Sequence, residues 1–477
     1  MSLAPFNVEL VRGVAMPLSY VHPYIPNSAS EVRQAMLDAI NATSVEELFA
    51  DVPEALRVQG ALDLPPALPV EQDLARHVAD LLSRNASTDE RTSFLGFGVY
   101  RHSVPAVVDE VIGRSEFLTA YAGEPYDDHG RFQALFEYQS LMGELLGMDV
   151  VNVPTYDGYQ AAATAVAMAG RITGRRRVLQ LSDPHPHKLD KVRDFVSGFL
   201  SVETIPTSAS VANISALPAS LDDDVAAVWI ETPSVRGSIE ENLSEISQLA
   251  HAAGAIVVVG TEPLLYGVLE PPAGLGADIV TGEIQSLGLH QWFGGARGGF
   301  IALHDDPQFV MELPSRLFGL ASTSVPGELG FGDVAYERTS FALREEGKEW
   351  VGTAAALWGI AAGVYLALMG PRGMRDIGET ILARTAYAQR RVAAIPGARL
   401  SDPALHFREF CVEFESASAV DVVAATRRAQ IDAGVVLDER SLLICVTEMT
   451  TREEIDRLAD AIAAALGDVD AQNGARQ

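Results

Sequence analysis

The segment Thr155-Tyr156-Asp157-Gly158-Tyr159 stands just before a long helix-forming run. A helix that opens on glycine can bring free backbone N–H groups close to an anion, although a plain N-cap by Asp157 explains the same residues equally well. Gln285 and Ser286 follow a strand-like run in TGEIQSLGLHQWFGGARGG, where Gly294, Gly295, Gly298 and Gly299 surround Arg297. That glycine cluster reads as a tight turn, or as backbone able to approach an anion of a neighbouring subunit. His185 and His187, in DPHPHKLD, lie near Asp183. Their i, i+2 spacing in extended chain is a poor metal-ligand pattern, and no metal is expected there. Asp127, Asp128 and His129 read as a solvated loop. Tyr100 and His102, in GVYRH, precede the PAVVDEV helix, and Tyr121 lies in TAY. Each can line a ligand or partner pocket, and each can equally be structural.

These residues need a frame. Helices are expected over 132–148 and 159–174, and strands in RVLQLS (177–182), AAVWIE (226–231), AIVVVG (255–260) and ADIVTG (277–282). Continuous β-branched runs separated by helices indicate a parallel sheet covered on both faces. After about residue 372 come the strands FCVEFE and SLLICVTE, then a helix opened by Thr451 and Glu454 in capping-box spacing. Upstream, a helix is expected with Ser28 as N-cap and Glu31 three residues on, then a short helix in TSVEELFADV. LDLPPALP (62–69) is too proline-rich for helix and reads as extended linker.

The chain therefore divides into an N-terminal arm with helices (1–70), a large α/β domain (71–371), a small α+β domain (372–467) and a tail (468–477). That layout suits an α/β fold of the fold type I pyridoxal-phosphate (PLP) transferase kind, with a mainly parallel sheet flanked by helices. Chemistry on that cofactor needs a lysine to hold the aldehyde, an acidic side chain at a strand end for the pyridine nitrogen, and a helix N-terminus for the phosphate. The first two are missing. Val258 to Gly260 stand where the acid belongs, and Gln285 or Ser286 where the lysine belongs. Lys188, Lys191 and Lys348, the only three lysines, fall elsewhere and are not expected to substitute. No residue is assigned a catalytic role.

Composition excludes other classes. A net charge of −29 over 477 residues disfavours nucleic acid and anionic membrane surfaces. Two cysteines, Cys411 and Cys445, make no disulfide framework and point to a reducing, cytoplasmic compartment with both thiols buried. The N-terminus shows no signal-peptide pattern. The uncharged run Val351 to Gly370 is long enough for a bilayer span, but its Ala and Gly content favours a buried core helix.

The stretches IPNSASEVRQAMLDAI, SVEELFADVPE, LDLPPAL, SFLGFGVYRHSVPAVVDEV, RSEFLTAY, FQALFEYQSLMGELLGMDV, YDG, GVLEPPAGLGADIVTGEIQSLG and SLLICVTEMTTREEID occur in order over about residues 22 to 466. Together they resemble the N-terminal, lysine-free subunit of the glycine decarboxylase (P-protein) family of the glycine cleavage system. The resemblance implies a PLP-free half that pairs with a lysine-bearing C-terminal subunit carrying the cofactor. It further implies that the pair removes CO2 from glycine and passes the aminomethyl group to lipoylated H-protein. It favours a pocket-lining place for Tyr100, His102, Tyr121, Tyr156, Asp157, Gly158, His185 and Gln285. Residues 126–130 and 343–353, and the tyrosine after YDG, depart from the family pattern. Two other readings therefore stand beside it: a paralogous assembly acting on another small amino acid, and a stand-alone, homodimeric binding protein with no catalysis.

Overall fold

The computed structural model describes residues 24–58, 62–66, 68–117, 129–208, 210–314, 316–348 and 355–474. Tyr121, and parts of the divergent segments 126–130 and 343–353, lie outside them. The chain falls into two compact units, one up to Ser87 and one from Thr88.

In the first unit the expected capping box does not form. The helix runs Ser30–Ala39 behind Ala29, which has no side chain able to cap, and the Ser28 hydroxyl turns back to the Ile25 carbonyl. The segment after Ser44 is a 3-10 turn, Val45–Phe49, rather than an α-helix. A further helix spans Glu71–Leu82.

The second unit is built on a seven-stranded sheet. Its strands are β1 (Val150–Val151), β2 (Arg177–Gln180), β3 (Ser201–Thr204), β4 (Val225–Thr232), β5 (Ile256–Thr261), β6 (Ile279–Glu283) and β7 (Gly299–Leu303), in the order β1-β7-β6-β5-β4-β2-β3. Only β7 runs against its neighbours. Side chains alternate along each strand, so a strand buried on both faces must be apolar at every position. On β5, Val257 and Val259 face one core with Tyr138, Ala361 and Tyr365. Ile256 and Val258 face the other with Ala162, Val166 and Trp229. Helix α1 (His129–Leu146) lies on the first face, and α2 (Gly158–Thr173) and α3 (Pro186–Val196) on the second.

The run read as a possible bilayer span becomes part of α4 (Ala356–Ala393), which is broken at Gly370 (φ +57) before Pro371. Among the described residues, no helix is long and apolar enough to cross a membrane. Past the break, α4 packs on an antiparallel sheet of β8 (Ala398–Leu400), β9 (Glu409–Phe414), β10 (Val435–Val436) and β11 (Ser441–Cys445), in the order β8-β9-β11-β10. Helices α5 (Ala419–Arg428) and α6 (Arg452–Gly474) complete a separate core there. The capping box at the start of α6 does form: the Glu454 amide donates to Thr451 Oγ1 (3.1 Å), and the Thr451 amide to Glu454 Oε2 (2.7 Å).

Candidate functional site

Parallel sheets place ligands outside the carboxyl ends of their strands. Here three consecutive strands end on or next to a glutamate: Glu231 on β4, Glu262 one residue past β5, and Glu283 closing β6. All three face a pocket of about 750 Å³, its open mouth included, which Phe97, Tyr100, Tyr159, His185, Arg297 and Arg408 also line.

Glu283 meets the start of α2. Its Oε2 accepts from the Gly158 amide (3.0 Å) and from Arg297 Nε (2.9 Å), and its Oε1 accepts from the Gly298 amide (2.6 Å). Asp157 is the N-cap, taking the Gln160 amide at 2.7 Å. Gly158 lets the helix start come close to the strand end: a Cβ there would stand 3.0 Å from the Gly282 carbonyl oxygen, a tight contact. The Tyr159 ring lies beneath the Arg297 guanidinium at 5.4 Å, and burial pushes its hydroxyl up to about 12.

Glu231 pairs across the sheet with Gly260. A Cβ on Gly260 would fall 2.0 Å from a Glu231 carboxylate oxygen, so this carboxylate occupies the space of the absent side chain. It accepts from Lys188 Nζ (2.6 Å) and Trp229 Nε1 (2.9 Å), and both Glu231 and Lys188 are buried. A lysine thus lies in the pocket, held by Glu231. Helix α3 points Lys188 into the pocket, because Pro186 starts the helix and Lys188 lies on its inner side.

Arg408, at φ +42 just before β9, is buried and ion-paired with Glu262, which also accepts from the Ser286 hydroxyl. Its guanidinium covers the Tyr100 ring at 3.4 Å, and Tyr100 Oη donates to Glu409 (3.0 Å). Burial raises the Tyr100 hydroxyl well above its ordinary range. Arg408 Nη1 also lies 3.1 Å from His102 Nε2. Arginine can only donate, so Nε2 accepts and the His102 proton sits on Nδ1, 2.8 Å from Glu448.

Of the eight pocket candidates read from sequence, Tyr100, Gly158 and His185 line this pocket. His185 caps α3 by accepting the His187 amide (3.2 Å) and packs on Phe97 at 4.1 Å. Its pKa is lowered to about 4, first by burial and then by the nearby charges of His187, Lys188 and Arg297. His102 lies behind Arg408. Tyr156 is 57% exposed and is not among the residues lining the pocket, and Asp157 serves the helix. Gln285 is buried in a clasp, accepting from the Tyr100 amide (3.1 Å) and donating to the Tyr100 and Leu289 carbonyls (3.1 and 2.9 Å). Arg297 turns inward to Glu283. Sequence reasoning missed Glu231, Glu262, Glu283 and Arg408. The recurrence of glutamate at three strand ends was an available signal for the first three.

The sheet order, the helical layers and the pocket at the strand ends define the fold type I class of PLP-dependent proteins. A NifS-like protein shares this fold at TM-score 0.60 and 13% identity over 79% of this chain and all of that one. The crystal structure of glycine decarboxylase (P-protein) of the glycine cleavage system, in inhibitor-bound form, superposes at TM-score 0.81. The two are 32% identical, and the match covers 92% of this chain and 98% of that one. Probable glycine dehydrogenase (decarboxylating) subunit 1 of Chlorobium phaeobacteroides is 37% identical over 450 residues, which is 93% of this chain and 99% of that one. The protein so named from Geobacillus kaustophilus is 36% identical over 452 residues, 93% of this chain and 99% of that one. Residues 22–462 match the family described as glycine cleavage system P-protein. The chain belongs to that family.

The site does not fit the class's cofactor. Neither Gln285 nor Ser286, the two residues read at the lysine position, can hold an aldehyde as an imine, and the Gln285 amide is spent on the Tyr100 backbone. Glu283 sits against the helix start, and Glu231 with Lys188 fills the space beside Gly260.

Proposed function

We propose that this chain is the lysine-free subunit of a glycine decarboxylase heteromer. In this reading a lysine-bearing subunit of the same family holds pyridoxal phosphate, which supplies an electron sink for the loss of CO2 from glycine. Lipoylated H-protein then receives the aminomethyl group, and this chain supports the partner's fold and site in the cytoplasm. The observation that carries the proposal is Gln285. Gln285 or Ser286 stands where the lysine belongs in a chain whose residues 22–462 match the P-protein family, and the Gln285 amide is used structurally at 2.9–3.1 Å.

The test is co-expression with a lysine-bearing subunit, co-purification, and exchange of labelled CO2 into the carboxyl group of glycine. A complex that exchanges supports the reading. A stable complex without glycine exchange moves the substrate to another small amino acid, and failure to form any complex overturns the subunit assignment.

A further inference from the structure

Three donors from separate parts of the chain converge on one carboxylate. Gly158 is the first residue of α2, Gly298 belongs to the turn before β7, and Arg297 precedes it. All three donate to Glu283 at 2.6–3.0 Å. The first N–H groups of a helix lack intrahelical partners, and the helix dipole favours negative charge there. A seat of this composition, with two amides and a guanidinium around one point, suits a phosphate oxygen cluster. The carboxylate arrives without long reach, because Gly158 brings the helix start onto the end of β6: its Cβ position is 3.2 Å from the Glu283 amide nitrogen.

We infer that Glu283 fills, from within the chain, the anion seat at the start of α2, and so closes this pocket to the phosphate group of a phosphorylated cofactor. The inference concerns the isolated chain and does not rest on any partner. The carboxylate already satisfies the Arg297 charge and both amides. A phosphate entering would meet a like charge at hydrogen-bonding distance from every donor it needs.

The test uses the full chain. Thermal unfolding is followed with inorganic phosphate rising to on the order of 10 mM, against chloride at equal ionic strength, for the wild type and Glu283→Ala. Wild-type Tm is expected not to respond to phosphate beyond chloride. Glu283→Ala is expected to unfold at lower temperature and to recover about 1–3 °C with phosphate, because the emptied seat accepts the ion. A phosphate-specific rise in the wild type equal to that of the variant overturns the inference, as does a folded Glu283→Ala that gains nothing. If the alanine variant does not fold, Glu283→Gln removes the charge while keeping an acceptor, and a smaller phosphate response is expected. Titration of the wild type with pyridoxal phosphate, read by absorbance, decides without any variant. Saturable binding that phosphate displaces overturns the inference, and its absence supports it.

Discussion

The Arg408 guanidinium lies 3.4 Å from the centre of the Tyr100 ring, joining the strand-entry backbone of the C-terminal sheet to the GVYRH segment more than 300 residues earlier. The same guanidinium pairs with Glu262 at the end of β5, so one side chain links the seven-stranded and the four-stranded sheet of the second unit. Removing one member of a buried pair leaves a lone charge and costs about 3–5 kcal/mol. Arg408→Met is therefore expected to lower the unfolding free energy read from urea denaturation by an amount in that range, and Arg408→Lys to recover only part of it, because lysine cannot lie flat on the ring. Equal stability of Arg408→Lys and wild type would show that the planar contact is idle.

Lys188 and Glu231 are both buried and 2.6 Å apart. Lys188→Met and Glu231→Gln are each expected to destabilise by about 3–5 kcal/mol, with the double variant closer to wild type than the sum. A double-mutant cycle in chemical denaturation measures this. Strict additivity would mean that the two groups are solvated independently.

Among the described residues the Tyr138 hydroxyl is buried without a hydrogen-bond partner. Burying an unsatisfied hydroxyl costs about 1–3 kcal/mol, so Tyr138→Phe is expected to leave stability unchanged or raise it. A clear fall in Tm would reveal a partner for that oxygen.

His185 carries a pKa of about 4, below its ordinary 6.5, because burial and neighbouring cations disfavour the charged ring. Between those values the unfolded chain binds a proton that the folded chain does not, so this group's contribution to stability falls as pH drops from 6.5 towards 4 and levels off below it. Wild-type Tm is expected to fall more between pH 7 and pH 5 than that of His185→Gln. Parallel declines in the two proteins would remove His185 from the acid response.

The strand runs were legible because a parallel sheet covered on both faces requires unbroken apolar residues: AIVVVG and AAVWIE cannot be satisfied at a surface. The capping box of α6 was legible as a local motif, three residues closing on each other. The same motif failed at Ser28, where local spacing did not set the helix start. That Lys188 turns into the pocket was not legible, because sequence order gives a helix's position after a strand but not which of its side chains turn inward.

The sequence by itself determined the layers, two of the four strands of the small sheet, and the lack of a lysine at Gln285 or Ser286, since all are properties of residue type along short segments. Only the tertiary structure decided what fills the pocket. Glu231 enters the pocket because register sets it opposite Gly260, which has no side chain to exclude it. Glu283 meets the helix start only because Gly158 permits close approach to β6. Arg408 reaches Glu262 and Tyr100 across hundreds of residues. Side-chain direction and cross-strand register are fixed by packing among distant elements, so no single segment encodes them.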